Sequence, residues 1–356
     1  VSLAIAKGLV LPEGSRFSIG AVPAVIAGVA PTLDFRPALE RREIEAVSLT
    51  DKLTFTGGNQ GTFVGSDGYI QRAQTNVPRF THDPATRRSL GMTLEASRTN
   101  SIRNNTMVGA VAGTPGISPT NWSVSTTNAQ LTASITSVGV DSGIAYLDIQ
   151  LSGTVTAQRN CDIGSEATNV IAAVSGQTWT QSSYFKLIGG SFANVADVFL
   201  QANTYTSGGA YITTPWFTPI APRPTSAGLA TQRYTAGASL AGATTAFIAP
   251  FIKISTATSG LIDITLRIGL PQLEQGSGAT SAIPATTAAV TRTADSAVID
   301  GTGVIAGTYT MVEKPAGCAV ISGTNINLQN GFTVERVMIF PATLTAGQIT
   351  AIRAAM

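Results

Sequence analysis

Residues Leu261 to Leu270 read Leu-Ile-Asp-Ile-Thr-Leu-Arg-Ile-Gly-Leu and alternate without a break. Ile262, Ile264, Leu266, Ile268 and Leu270 fall on one side, and Asp263, Thr265 and Arg267 on the other. Successive side chains of a strand point to opposite faces, so period two with β-branched residues specifies a half-buried strand. Ala145–Leu151, Tyr184–Ile188, Val195–Tyr205 and Ala246–Ile254 carry the same pattern. Gly189-Gly190, Ser207-Gly208-Gly209 and the stretch from Pro219 to Pro224 punctuate them. Many short strands with frequent turn signals predict a sandwich or barrel. No long helical pattern interrupts residues 105–275, which argues against a parallel α/β fold.

One helix is signalled, at the C-terminus. Thr345 and Gln348 have the Thr-x-x-Gln spacing of a capping box, and Leu344 and Ile349 the spacing of a hydrophobic staple. Ile349, Ile352 and Met356 share one face. So short a helix must dock on the preceding strand, Val334 to Phe340. Pro37 to Val47 is a second helix candidate, its charges forming a solvated face.

Only 12% of the 356 residues are charged, against roughly 25% in an ordinary globular chain. The net charge of +2 gives little field to hold nucleic acid, and no such partner is expected. His82 is the only histidine, which excludes multi-His metal sites. It lies beside the turn signal Asp83-Pro84 and reads as structural. No cofactor and no metal are expected. The GxSxG and GxxxxGK[ST] motifs are absent. Gly301 to Gly307 has one residue too many for GxGxxG and reads as a turn-rich connection. The carboxylates of the middle region, among them Asp162 and Glu166 four residues apart, show no glycosidase pairing. The chain therefore reads as a non-enzyme. Cys161 and Cys318 lack metal-site spacing and stand as two separate thiols or a disulfide. Ile19 to Ala30 is apolar but broken by Gly20, Pro23 and Gly28. It falls short of the ~20 residues of a membrane span and reads as buried or interface-forming extended chain, so no membrane insertion is expected. A start at Val1 fits removal of an initiator Met or of a longer leader.

Charge is uneven: 20 charged residues fall in the first 100 and 14 in the next 175. The charge-rich part holds Leu53-Thr-Phe-Thr-Gly-Gly58, Gly61-Thr-Phe-Val-Gly-Ser-Asp-Gly-Tyr-Ile70 and Thr75-Asn-Val-Pro-Arg-Phe-Thr-His-Asp-Pro84. It continues into Ser89-Leu-Gly-Met-Thr-Leu-Glu-Ala-Ser-Arg-Thr-Asn100. Asp67-Gly68 and Gly65 supply hairpin residues. A second patterned stretch runs Leu270-Pro-Gln-Leu-Glu-Gln-Gly-Ser-Gly-Ala-Thr-Ser-Ala-Ile-Pro284, followed by Val290-Thr-Arg-Thr-Ala-Asp295. Together these resemble a module of tailed-bacteriophage head-spike, head-fibre and tail-fibre proteins, and with Asn121-Trp122 and Val174–Gly190 they cover about half of residues 34–300. Two departures stand out: Gly57 where the family commonly has Arg, and polar Thr93 at a usually apolar place. Arg79, Glu95 and Arg98 are candidates for an internal ion-pair lock, or else face solvent.

The resemblance implies an all-β chain with a jelly-roll β-sandwich similar to carbohydrate-binding modules. It divides into an apolar attachment segment (1–33), an adaptor module (34–104), the sandwich (105–275), and a short β-rich segment ending in one helix (276–356). Trp122 and Trp179 match family positions expected in the core. Family members often end in a lectin-like sandwich of about 100 residues. Only about 60 residues follow Asp295 here, so a shortened or trimer-completed version is expected.

The implied function is an external virion spike or fibre, homotrimeric, joined to other virion proteins through its N-terminal segment and attaching to host-surface polysaccharide. A spacer that binds no glycan is the alternative. A depolymerase tailspike ranks third, since no β-helix repeat period is found. Glycan binding needs an exposed aromatic platform with polar groups beside it. The candidates are Trp216, in the loop-like Thr213–Pro219, with Arg223 nearby, and Tyr205 and Tyr211 flanking a Gly-rich turn; ordinary packing is the alternative for each of the three aromatics.

Overall fold

Alternation in the middle of the chain builds two antiparallel sheets. The computed structural model describes residues 53–300 continuously, together with 33–35, 43–44, 47–48 and segments between 308 and 355. The 1–33 attachment segment (Leu33 apart), Ile19–Ala30 within it, Gly301–Gly307, Met356 and the Cys318 side chain lie outside the described residues. The chain forms two compact units, one of residues 55–88 and 94–296, the other of 1–54, 89–93 and 297–356. These units divide the chain differently from the four sequence segments.

In the larger unit the sandwich strands are β1 (Ser123–Thr126), β2 (Thr132–Asp141), β3 (Ile144–Val155), β4 (Asn160–Gly164), β5 (Ile171–Ala172) and β6 (Thr178–Gly190). They continue as β7 (Val195–Tyr205), β8 (Tyr211–Pro219), β9 (Arg233–Ser239), β10 (Phe247–Thr256) and β11 (Gly260–Gln275). One sheet has the order β1-β4-β10-β7-β8, with β5 also on β10; the other has the order β2-β3-β11-β6-β9. The inward faces meet in one core. Ile262, Ile264, Leu266 and Ile268 of β11 pack there with Leu147, Ile149 and Leu151 of β3, opposite Val198, Leu200, Ile252 and Ile254. Trp122 and Trp179 are in this core, as expected. Only the three-residue 3-10 turn Leu229–Thr231 breaks the all-β pattern of this unit. Cys161 is a free, buried thiol, pushed up to about 12 by burial and by the neighbouring Asp162. Asn104 pins its own loop, donating to Val108 and Thr120 carbonyls at 2.8 and 3.0 Å.

The two patterned stretches of the sequence meet in a buried ion cluster. Arg79 is 1% exposed and donates from Nη1 to Glu95 at 2.7 Å, to the Thr62 carbonyl at 3.0 Å, and from Nη2 to Asp295. Arg292 is fully buried, 3.1 Å from Glu95, and donates to the Ala96 carbonyl at 2.7 Å. Glu95 also accepts from the Ser281 amide and hydroxyl, both at 2.6 Å. Asp295 accepts from the Gly58 and Glu95 amides at 2.9 and 2.8 Å. Buried charge is tolerated only when paired and hydrogen-bonded; here each guanidinium is paired and hydrogen-bonded through its terminal nitrogens, while the Nε of Arg79 and of Arg292 has no partner. Arg79 and Glu95 thus form the expected lock. Arg98 is a peripheral member, one-third exposed and 4.0 Å from Glu274. Gly57 has φ +123°, and a Cβ there would lie 2.6 Å from the Asp295 carboxylate. That geometry accounts for glycine at position 57.

In the smaller unit, Leu33–Phe35 pairs with β14 (Arg336–Phe340), which pairs with β12 (Thr308–Lys314), which pairs with β13 (Cys318–Ser322). Helix α1 (Ala346–Ala355) packs Ile352 and Ile349 with Val312, Met338, Phe340 and Leu344. The capping box is reciprocal: the Thr345 amide donates to Gln348 Oε1 at 2.9 Å, and the Gln348 amide to Thr345 Oγ1 at 3.3 Å. Of the helix expected over Pro37–Val47, residues 37–42 and 45–46 lie outside the described residues, and Glu43–Ile44 and Val47 are not helical. Glu43–Ile44 and Val47–Ser48 pair as antiparallel strands instead.

Burial raises the Glu95 carboxyl pKa, but Arg292, Arg79 and the Ser281 hydrogen bonds outweigh it and hold the group below its ordinary 4.5. A depressed folded-state value means that its stabilisation is present above about pH 4.5 and is lost as the pH falls through the lower folded value. We predict that Glu95→Gln costs about 3–5 kcal/mol at neutral pH, as for breaking a buried pair. It should also flatten the acid limb of the stability curve, read by urea unfolding between pH 3 and 7 (roughly the carboxylate range). Thr345→Ala should cost about 1 kcal/mol of helix-cap stability, read as a lower unfolding midpoint of the C-terminal unit.

Candidate functional site

The two outer faces of the sandwich differ in chemistry. On the β3-β11-β6 face, Arg267 holds Asp148 and Asp141 at 2.8 Å each, and Lys186 lies 3.4 Å from Asp141. The Arg267 guanidinium also lies 3.4 Å from the centroid of the Tyr146 ring. This face carries an ion-pair network centred on Arg267.

The face of β10, β7 and β8 is aromatic. Val198, Leu200, Ala202 and Thr204 are buried, so the alternate residues of β7, Phe199, Gln201, Asn203 and Tyr205, point outward. On β8, Phe217 pairs with Gln201 and Tyr211 with Tyr205. Four steps on β7 thus face six on β8, and two bulges absorb the difference. A bulge re-aims side chains, and here it turns Thr214 outward beside Phe217. Thr214 Oγ1 donates to Asn203 Oδ1 at 2.8 Å and lies 3.0 Å from the Tyr211 hydroxyl. Gln201 Nε2 donates to the same Asn203 oxygen at 2.9 Å. Phe199 and Phe217 stack with centroids 3.9 Å apart and planes at 11°. Tyr205 and Tyr211 meet edge to face at 6.3 Å. Phe251 and Phe247 of β10 flank Gln201 and Tyr205, and Lys253 stands beside Phe199. Lys253 is paired with Asp162 at 3.3 Å.

Tyr205 and Tyr211 therefore lie together on an exposed face, with Tyr211 60% exposed. Trp216 does not join them. Thr213–Pro219 is part of edge strand β8 rather than a loop; edge strands tolerate proline because one side of the backbone needs no ladder bond. Trp216 pairs with inward-facing Ala202, is 5% exposed, and donates from its indole N–H to Gln181 Oε1 at 3.0 Å. Its neighbour Phe217, 47% exposed, occupies the outward place. Arg223 bonds the Ala196 carbonyl at 2.6 Å and lies over Phe192, at the end of β7 opposite to Tyr205. Sequence reading missed Phe199, Gln201, Asn203, Thr214 and Phe217. The alternation of Val195–Tyr205 carried the signal for the first three, because Val198 and Leu200 mark the inward side.

The carboxylates considered for catalysis have structural partners. Glu166 takes two hydrogen bonds from the Arg103 guanidinium, at 2.7 and 2.9 Å, and Asp162 pairs with Lys253. Among the described residues, no cluster of three or more His, Cys, Asp or Glu side chains is placed to hold a metal. His82 is 5% exposed, with Nδ1 3.1 Å from the Val64 carbonyl. No helix among the described residues is long and apolar enough to cross a membrane.

Comparison with protein-family models gives no match, nor does comparison with curated proteins. Solved structures do show likenesses. The enzymatically active domain of bacteriophage CBA120 tailspike protein 4 is 13% identical, covering 44% of this chain and 20% of that one, at a TM-score of 0.29. This chain thus spans about a fifth of that tailspike domain. The CBM22-1 xylan-binding domain of Paenibacillus barcinonensis Xyn10C is 12% identical, covering 52% of this chain and 99% of that one, at a TM-score of 0.29. A carbohydrate-binding module from the β-sandwich superfamily is 13% identical, covering 62% and 84%, at a TM-score of 0.34.

The opposite orientations of Trp216 and Phe217 predict mutational losses of different size. Trp216→Phe leaves the buried Gln181 oxygen without its donor, so a loss of about 1–3 kcal/mol is expected. Phe217→Leu removes an exposed ring, its stack on Phe199 and its contact with the Lys253 ammonium 5.5 Å from the ring centre, so about 0.5–1.5 kcal/mol is expected. Denaturant midpoints of the two variants read the difference.

Proposed function

We propose that this chain is an external structural protein of a tailed phage or phage-like particle, a spike or fibre that attaches to host-surface glycan. The attachment surface is the outer face of β10, β7 and β8. The observation that carries this reading is the row of Phe199, Phe217, Tyr205 and Tyr211 with Gln201, Asn203 and Thr214 between them. Aromatic faces hold the apolar faces of sugar rings, and fixed amides and hydroxyls orient their hydroxyl groups. The virion part of the reading rests on the resemblance of residues 53–100 and 270–295 to phage spike and fibre modules. In this reading the chain is a homotrimer held to other virion proteins through its N-terminal segment, works without cofactor, metal or nucleic acid, and does no catalysis.

The test is titration of the whole protein with host capsule and lipopolysaccharide, followed by calorimetry. Phe217→Leu should weaken binding about tenfold, or ~1.4 kcal/mol. Tight binding to a virion component with none to host glycan would favour the spacer. Release of reducing ends from capsule would overturn the non-enzymatic assignment.

A further inference from the structure

We infer that the β7–β8 face takes an internal stretch of a linear, uncharged polysaccharide, laid along β7, rather than a single terminal sugar or an acidic chain. This rests on the glycan reading above and specifies its ligand. Three observations carry it.

The aromatic groups are divided into two stations at the two ends of one strand. Phe199 stacks on Phe217 at one end, and Tyr205 meets Tyr211 at the other. Six residues separate Phe199 from Tyr205, about 20 Å at ~3.3 Å per residue of strand. That span is several sugar rings long, so only a chain can engage both stations at once.

The ground between the stations is polar and already organised. Thr214, Asn203 and Gln201 form a continuous hydrogen-bonded row that reaches Tyr211. Fixed groups lose little freedom when a ligand arrives. Gln201 is 7% exposed and ends this row on the side of the Phe199–Phe217 stack, and its amide oxygen is buried with no hydrogen-bond partner. A buried acceptor left unmade is costly, and a small rotation of this amide on ligand arrival would bring the oxygen to a sugar hydroxyl that supplies the donor it lacks.

The face also has no spare cation. Lys253, the cation beside Phe199 and Phe217, is committed to Asp162 directly across the strand pair. Asp197 stands two residues before Phe199 on the same strand. An anionic polymer would meet a paired lysine and an unneutralised carboxylate region, whereas an uncharged one meets rings and amides. Binding should therefore change little with salt, since no exposed charge pair forms across the interface.

The experiment titrates the full chain with cello-, xylo- and manno-oligosaccharide ladders from the monosaccharide upward, with polygalacturonate, and with host capsule and lipopolysaccharide fractions. The expected result is affinity for a neutral ladder or fraction that climbs at least tenfold with chain length, then levels off, and holds between low and high salt. Phe217→Leu and Tyr211→Ala should each reduce affinity for long ligands at least fivefold, while short ligands lose sensitivity to one of the two. Full affinity for a monosaccharide would overturn the extended-chain inference and leave glycan attachment standing. So would salt-sensitive binding confined to acidic polymers. Absence of binding to every ladder and fraction would overturn attachment itself. Matched thermal unfolding of the two variants separates loss of the site from loss of the fold.

Discussion

A guanidinium cannot stand alone in a protein interior, and those of Arg79 and Arg292 are buried in the larger unit. Their partners come from distant parts of the chain: Glu95 from the first patterned stretch, Asp295 and Ser281 from the second. Arg79 lacks Asp295, and Glu95 lacks Arg292 and Ser281, until both stretches have come together. The cluster therefore acts as a condition on the fold more than as a source of net stability, since buried ion pairs often only break even against their desolvation. Between the two stretches lies the whole sandwich, so closing the cluster ties the beginning and end of the sandwich sequence to one place. Arg292 shows how high the stakes are: burial pulls its pKa down, and Glu95 and Asp295 push against that pull.

The sandwich uses its two outer faces differently. One is covered with crossed ion pairs centred on Arg267. The other leaves rings and amides on view. Gln181 joins the two sheets through the core: its Nε2 donates to the Phe251 carbonyl at 3.0 Å, and its Oε1 receives the Trp216 indole. A buried side chain thus anchors β8 and β10 from beneath, directly under the aromatic face. Local rigidity of that face comes from below as well as from its own hydrogen-bonded row.

Much of the fold was legible because strand period and turn chemistry act locally. The alternation of Leu261–Leu270 identified β11 and its buried side, and the Thr345–Gln348 pair identified the last helix. The candidate site was harder to read. Assigning Thr213–Pro219 to a loop put Trp216 outside, because two prolines in seven residues read as turn chemistry. On an edge strand they are tolerated, and the inward–outward order then places Trp216 in and Phe217 out. A shift of one residue exchanges a core anchor for a surface ring. The bulges that expose Thr214 depend on pairing with β7, which no local pattern in β8 records. The Arg79–Glu95 lock was anticipated. Its partners Arg292 and Asp295, about two hundred residues away in the chain, lay in a motif that could be recognised without revealing what the motif does.

Strand β8 is the last of its sheet, and it carries two bulges together with Pro215 and Pro219. Prolines offer no N–H to an incoming strand, and bulges break the even spacing that a new ladder requires. A row of open backbone groups at a sheet edge ordinarily invites another chain to extend the sheet. Here the irregularities that shape the aromatic face also close that route. At high protein concentration such edges would meet often, and this one is built to stay unpaired.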